Sequence, residues 1–195
     1  MSQYLDSISQ QYNQRGMAVL SRTQEKWTGL SDLSHFLMGS DTVEDLAENA
    51  AKYVVGILGI DYCRIILREA NGHFYCKASY SPEYPYVVHG SIRQSVSAEK
   101  IYSRLLKNAA VAKLYLASDH LTYVESISLG ISPGEHSWII PLRADSQQIG
   151  ILILGQKSGS EEELLDEDSY YLVDLISDQL SSAFLCTQLN DRLET

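Results

Sequence analysis

An apolar run over residues 149–154 limits what this chain can fold into more than any other stretch. The run is rich in β-branched side chains, is too short to span a membrane, and is followed by Gly155, which together predict a β-strand. A strand that is apolar at every position, rather than at alternate positions, has both faces buried. The run therefore predicts a sheet with a packed layer on each side.

This strand forms the second arm of a predicted hairpin. The first arm covers residues 137–143, and residues 144–147 form a polar turn. With a four-residue turn, Gly150 lies opposite Pro141. The same register places Trp138 in the core, on a face with Ile140, Leu142, Ile149, Ile151 and Ile153. A glycine inside a central strand marks the close approach of another group, which is more often a packed element than a ligand.

Size and charge restrict the class of protein further. The chain has 195 residues, of which 45% are hydrophobic and 21% are charged, as expected for one domain with extra terminal segments. Its formal net charge of −10 argues against a nucleic-acid partner, because binding a phosphate backbone needs clustered lysine and arginine. No apolar run reaches membrane-spanning length and the N-terminus does not resemble a signal peptide, so we expect a cytoplasmic protein without membrane insertion.

The sequence offers no catalytic constellation. Cys63, Cys76 and Cys186 lie in apolar contexts without a Cys-x-x-Cys pair, which predicts buried, reduced thiols rather than disulfides or a zinc site. Asp119 and His120 are neighbours, but adjacent side chains point apart and no nucleophile accompanies them. We therefore expect no enzymatic activity and no bound metal.

Helices are predicted near both ends. Apolar positions at three- and four-residue spacing indicate a helix from Val43 to Leu58, with Asp41 or Thr42 as its cap and Gly59 as its end. A long final helix follows three acidic residues, 161–163, that favour a helix start. Before these, a seven-residue alternation indicates a helix that either docks on its own domain or pairs with its copy in a dimer; its members are Leu20, Trp27, Leu30 and Leu37.

A first hairpin is predicted from residues 62–68 and 74–80, around Asn71-Gly72. A two-residue loop makes one apolar face from Cys63, Ile65, Leu67, Phe74, Cys76, Ala78 and Tyr80. The other face carries Tyr62, Arg64, Ile66, Arg68, Tyr75, Lys77 and Ser79. This second face is either a cationic pocket wall for an anionic ligand or, as we favour, an edge face in water.

Residues 81–134 are irregular. Pro82 and Pro85 exclude a regular element at the start, Ser95 or Ser97 can cap a short helix, and a short strand and one helical turn follow. Tyr80, Tyr84 and Tyr86 either wall a pocket or pack a long loop onto the sheet. His89 and His120 lie in the same segment, where a lone histidine is usually solvated.

These patterns, in this order, resemble the GAF domain family over roughly residues 30–193. The matching pieces are Val43-x-x-Leu46 leading to the 60–65 strand, Asn71-Gly72, Trp138-Ile139-Ile140-Pro141-Leu142, Gln148-Ile149-Gly150-Ile151-Leu152 and the closing helix. The resemblance implies an α+β fold with a central antiparallel sheet of five or six strands. Terminal helices would pack on one face, and the irregular segment would cover the other, with a ligand pocket beneath it.

The family also implies a sensory or regulatory module that binds a small molecule and relays this through its terminal helices. We expect the GAF-like domain to span residues 29–195, after a helical extension at 1–28. A homodimer through the terminal helices and an output domain in a longer parent chain are the expected partners, while the ligand or cofactor stays open. The predicted pocket residues are Arg64, Tyr75, Tyr80, Tyr84, Tyr86, His89, His120, Trp138 and Gly150.

Two alternatives stay open beside this interpretation. The chain could be a dimerisation module without a ligand. It could also be an enzyme similar to the free-methionine-sulfoxide-reductase branch, which we disfavour because Cys63 and Cys76 fall on predicted strands. Covalent bilin attachment is not expected either, because residues 81–134 contain no cysteine.

Overall fold

The computed structural model describes residues 21, 23–37, 39, 42–83, 92–108, 115–117, 121–131, 135–144, 147–156 and 167–193. Its helices are α1 (residues 23–37), α2 (Val43–Leu58), α3 (Val96–Asn108), α4 (Tyr123–Ser128) and α5 (Glu167–Leu193). Its strands are β1 (Tyr62–Arg68), β2 (Phe74–Tyr80), β3 (Ile92–Arg93), β4 (Tyr115–Leu116), β5 (His136–Ala144) and β6 (Gln147–Gln156). The predicted α+β class is confirmed.

All six strands form one antiparallel sheet, in the order β3-β2-β1-β6-β5-β4. The apolar run of residues 149–154 lies in β6, between β1 and β5. Ile151, Leu152, Ile153 and Leu154 are each at most 1% exposed, so successive side chains are buried on opposite faces. The prediction of a sheet covered on both sides is confirmed.

Three helices, α1, α2 and α5, cover what we call the helical face of the sheet. The strand residues buried beneath them include Cys63, Ile65, Leu67, Trp138, Ile140, Leu142, Leu152 and Leu154. Helix α2 begins at Thr42, whose side chain accepts a hydrogen bond from the Asp45 backbone N–H at 3.1 Å, and ends at Gly59 with φ of 67°. Both predicted ends of this helix are confirmed, with Thr42 rather than Asp41 as the cap.

Helices α3 and α4 cover the opposite side, which we call the inner face. Its buried strand residues include Tyr62, Ile66, Phe74, Cys76, Ile139, Ile151 and Ile153. The Ser95 hydroxyl caps α3 by accepting from the Ala98 N–H at 3.2 Å, and Tyr102 of that helix is fully buried against the sheet. The helical turn predicted near Tyr123 is confirmed as α4.

The predicted register of the first hairpin is correct at one end and wrong at the other. Cys63 pairs with Tyr80 and Ile65 with Ala78 as predicted, but Leu67 pairs with Tyr75 because a bulge intervenes. The turn is one residue longer than predicted, since the Glu69 N–H donates to the His73 carbonyl and Gly72 adopts φ of 81°. The bulge compensates for this extra residue. Phe74 and Cys76 consequently lie on the inner face, not with Leu67.

The second hairpin also contains a bulge that the predicted register lacks. Its turn connects the paired residues Ala144 and Gln147, and a bulge follows, so Gly150 lies opposite Leu142 rather than Pro141. Ile151 and Ile153 therefore share the inner face with Ile139, and the prediction that they share a face with Trp138 is wrong.

Helices α1 and α5 lie side by side. Lys26 Nζ donates to Ser169 Oγ at 2.9 Å, and Ser34 Oγ donates to Gln179 Oε1 at 3.0 Å. Both contacts advance in the same direction along the two helices, so the helices run parallel. Leu30 and Leu33 of α1 are buried in the domain's own core, which favours docking on the domain over pairing with a copy for this part of α1.

Candidate functional site

The inner face carries a small group of polar side chains within an apolar layer. We call it the polar cluster; its members are Tyr62, Arg64, Glu135 and Ser137. Tyr62 and Arg64 alternate along β1 on the same side of the sheet, while Ser137 belongs to β5 and Glu135 precedes it. Two central strands and the residue before one of them thus bring four hydrogen-bonding groups together on the inner face, and Arg64 among them contacts the end of α4.

Tyr62 links the two strands across β6. Its hydroxyl lies 2.6 Å from Ser137 Oγ and 3.3 Å from Glu135 Oε2. The ring crosses Gly155, where a Cβ would lie 2.0 Å from the ring Cζ, so any larger residue would displace the ring. Burial raises the pKa of Tyr62, although the Ser137 hydrogen bond acts in the opposite direction. The phenol therefore stays protonated and serves as a neutral hydrogen-bonding group.

Arg64 holds the end of α4. Its Nη1 donates to the carbonyls of Leu129 at 2.9 Å and Gly130 at 3.0 Å, and its Cζ lies 5.1 Å from the centroid of the Tyr62 ring. Gly130 has φ of 70°, a backbone conformation that favours glycine, and a Cβ there would be 2.8 Å from Nη1, so a larger residue would also displace the guanidinium. Among the described residues, the Arg64 guanidinium has hydrogen-bond acceptors only at Nη1. Nε and Nη2 are donors that a ligand can use.

The surroundings of the cluster are apolar. Ile139, Ile151, Ile153, Leu129 and Ile131 are buried around it. Burial raises the pKa of the nearby Cys76 thiol, which the positive charge of Arg64 only partly offsets. No group of three potential metal ligands occurs among the described residues. A few hydrogen-bonding groups within an apolar layer are typical of sites that hold a small organic molecule.

The residues predicted for the pocket are distributed over both sides of the sheet. Arg64 belongs to the polar cluster. Trp138 is buried on the helical face, and Tyr80 packs against the same core. Tyr75 alternates with the inner-face residues Phe74 and Cys76, and its ring lies 5.6 Å from Lys77 Nζ, an ammonium that reaches Glu44 of α2. These three aromatic residues therefore do not face a site under α3 and α4.

Gly150 is explained by packing. A Cβ there would lie 2.2 Å from the Ile66 carbonyl oxygen of β1, so the glycine permits two central strands to approach. The other predicted pocket residues, Tyr84, Tyr86, His89 and His120, lie outside the described residues.

The cluster members Tyr62, Ser137 and Glu135 were not singled out from the sequence. Tyr62 was assigned to the same hairpin face as Arg64, but its partner across the sheet depends on the order of the strands. The one local signal is Gly155, a glycine in β6 at the position paired with Tyr62.

The family model for the GAF domain matches residues 42–186. The chain belongs to the GAF domain family, and the resemblance read from the sequence is confirmed. A comparison with curated proteins found no match. Within the described residues, no helix has the length and apolar composition needed to cross a bilayer.

Solved structures share the fold at low identity. The phycoerythrobilin-bound GAF domain of a cyanobacterial phytochrome aligns with TM-score 0.63 and 17% identity over 85% of this chain and 96% of its own. The GAF domain of an Acinetobacter phosphoenolpyruvate-protein phosphotransferase aligns with TM-score 0.57 and 18% identity over 82% of this chain and 92% of its own. Free methionine-R-sulfoxide reductase from Neisseria meningitidis, in complex with its substrate, aligns with TM-score 0.59 and 11% identity over 86% of this chain and 93% of its own. At these identities the likeness defines the fold alone.

Proposed function

We propose that this chain is a sensory or regulatory GAF module that binds a small molecule at the polar cluster and relays binding through its terminal helices. The observation that carries the proposal is Arg64: a cation on the inner face with two donor atoms that have no acceptor among the described residues, next to buried apolar side chains and one protonated tyrosine. Such a site favours an organic ligand that presents a carboxylate, phosphate or carbonyl oxygen to the guanidinium.

The relay is supported by the sheet itself. Strands β1 and β5 carry the polar cluster on the inner face and bury Ile65 and Ile140 against the helical layer on the other. A ligand that displaces Arg64 from the end of α4 would change the position of β1, and α2 and α5 pack on the far side of the same strands. The mechanism requires that the ligand favours one of two arrangements of the helices.

Binding is tested by thermal unfolding of the 195-residue chain with a panel of nucleotides, amino acids and tetrapyrroles. A ligand that binds the folded state raises the melting temperature by mass action. We expect a hit whose shift is lost in Arg64→Lys and Tyr62→Phe but kept in Gly56→Ala, on the exposed side of α2. If no compound of the panel raises the melting temperature, the result would favour the module without a ligand.

That second candidate has its own support. Trp27 of α1 is 44% exposed and Tyr171 of α5 is 59% exposed, and their rings contact each other with centroids 6.2 Å apart. An exposed aromatic pair on the terminal helices suits a homodimer. Light scattering tests this: Trp27→Glu with Tyr171→Glu should convert a dimer into a monomer, and an unchanged mass excludes this surface.

We propose a module without catalytic activity. Cys63 and Cys76 are buried in the cores of opposite sheet faces, and burial raises the pKa of both thiols. Methionine-sulfoxide turnover that disappears when both are changed to serine would contradict this. The domain division at residues 28 and 29, a cytoplasmic location and an output domain in a longer chain belong to the same proposal; the full reading frame tests the last.

A further inference from the structure

A groove lies on the outer side of α3, away from the polar cluster. It has a volume of about 590 Å³, which is within the range of small-molecule sites. Phe74 and Gly72 of the first hairpin line one side, and the exposed stripe of α3 lines the other. The stripe follows helical spacing and consists of Val96, Lys100, Ser103 and Lys107, with Arg104 beside it.

Two of the three cations of this groove, Lys100 and Lys107, differ from the third, Arg104, which pairs with Glu125. Lys100 and Lys107 make no ion pair or hydrogen bond with any residue of the described ranges. Glu99, which also lines the groove, and Glu125 have partners other than these two lysines. Glu99 contacts His73 at 3.2 Å and Arg93 at 3.7 Å, and Glu125 contacts Arg104 at 2.8 Å. The groove therefore holds two lysines that pair with no carboxylate of the described residues, together with one lining carboxylate, Glu99, that is engaged by His73 and Arg93.

The end of α3 does not require these lysines either. A lysine in the last turn usually serves the free carbonyl groups of the helix end. Here Arg143 and Gln148, from the second hairpin, both donate to the Leu106 carbonyl. The Leu106 carbonyl therefore does not need Lys107.

The net charge of the segment that contains α3 differs in sign from that of the rest of the chain. Residues 64–113 contain eight lysines and arginines and three acidic residues, a net charge of +5. The remaining residues contain seven basic and 22 acidic residues, a net charge of −15. Like charges three and four residues apart destabilise a helix, so Lys100, Arg104 and Lys107 on one helix oppose its stability. A bound anion would remove this repulsion.

We propose that the α3 groove binds a small molecule with two or more phosphate groups. Lys100 and Lys107 are seven residues apart, which places their Cα atoms about 10 Å from each other along the helix axis. Their flexible side chains can therefore both reach one oligophosphate. Val96, which is 63% exposed, offers apolar contact to an organic part at the other end of the groove. This site is separate from the polar cluster and does not depend on the function proposed there.

The probe is sodium tripolyphosphate, titrated calorimetrically into the 195-residue chain at low and at moderate salt. We expect saturable binding of one equivalent that weakens with salt. Lys107→Gln should lower the affinity about tenfold, or about 1.4 kcal/mol. Ser103→Glu should abolish binding, because it places a carboxylate between the two lysines.

Two controls distinguish the groove from general charge effects. Lys52→Gln removes one exposed lysine from α2 and should leave the affinity unchanged. Lys26→Gln, on α1 of the helical face, should leave it unchanged too. Amide shifts from NMR should report the probe on α3. Absence of saturable binding, or an equal loss of affinity with Lys52→Gln and Lys107→Gln, would overturn the proposal.

Discussion

Single glycines decide how closely the central strands approach. At Gly150 a Cβ would lie 2.2 Å from a backbone oxygen of β1, which cannot move without breaking the sheet. We predict that Gly150→Ala destabilises the protein by about 2 kcal/mol or more. Urea unfolding followed by circular dichroism measures this.

Gly56 provides the matched control for that substitution. It lies inside α2, without positive φ, and a Cβ there meets no atom within 4 Å. Gly56→Ala should therefore stabilise the protein by about 0.5–1 kcal/mol through helix propensity. Equal effects at the two glycines would contradict this explanation of Gly150.

The three cysteines should differ in reactivity. Cys63 and Cys76 are buried and burial raises the pKa of both thiols, whereas Cys186 is exposed on α5. We predict that an aromatic disulfide reagent modifies one thiol rapidly in the folded chain and three after denaturation. Rapid modification of two thiols in the folded wild-type chain, or of any thiol in folded Cys186→Ser, would show that a strand cysteine is accessible.

At the scale of elements, one lysine fastens β2 to α2. Lys77 lies at the bulge, is 6% exposed, and contacts Glu69 at 2.7 Å and Glu44 at 3.0 Å. Burial alone would lower its pKa, but the two carboxylates outweigh it and raise the pKa above 10.5. We predict that Lys77→Met costs about 2 kcal/mol. Lys52→Met, which removes an exposed pair with Glu48, should change stability by less than about 0.5 kcal/mol.

The contribution of Lys77 to the free energy of unfolding should depend on pH with a definite sign. Because the folded pKa of Lys77 is raised, its contribution is fully present below pH 10.5 and is lost as pH rises through the folded pKa. The difference between wild type and Lys77→Met should therefore be constant at neutral pH and shrink in strong alkali. A difference that vanishes between pH 5 and 8 would contradict this.

Elements with local signals were predictable from the sequence, whereas registers were not. The cap at Thr42, the end at Gly59 and the doubly buried strand follow from side chains close in the chain. Each hairpin instead contains a bulge, at Lys77 and at Ile149, and one extra residue moves every following side chain to the other face. The bulge at Lys77 is why Tyr75 does not share a face with Arg64, and the bulge at Ile149 is why Ile151 and Ile153 do not share a face with Trp138. The link between Tyr62 and Ser137 could not be foreseen, because it joins residues 75 positions apart across β6.

At the scale of the whole molecule, a single sheet separates a helical layer from a covered inner face. The parallel helices α1 and α5 lie on one side and the polar cluster lies on the other. Central strands contact both, and we propose that they transmit a change at Arg64 to α5. The central claim is that a ligand at the cluster changes the arrangement of these two helices.

The most direct test measures the distance between α1 and α5 by pulsed electron resonance. Spin labels at Cys186 and at Ser31→Cys, both exposed, are read in labelled chains diluted with unlabelled ones. The ligand that raises the melting temperature should shift the distance distribution in the wild-type background and leave it unchanged in Arg64→Lys. A ligand that binds at Arg64 while the distribution stays the same would contradict the relay.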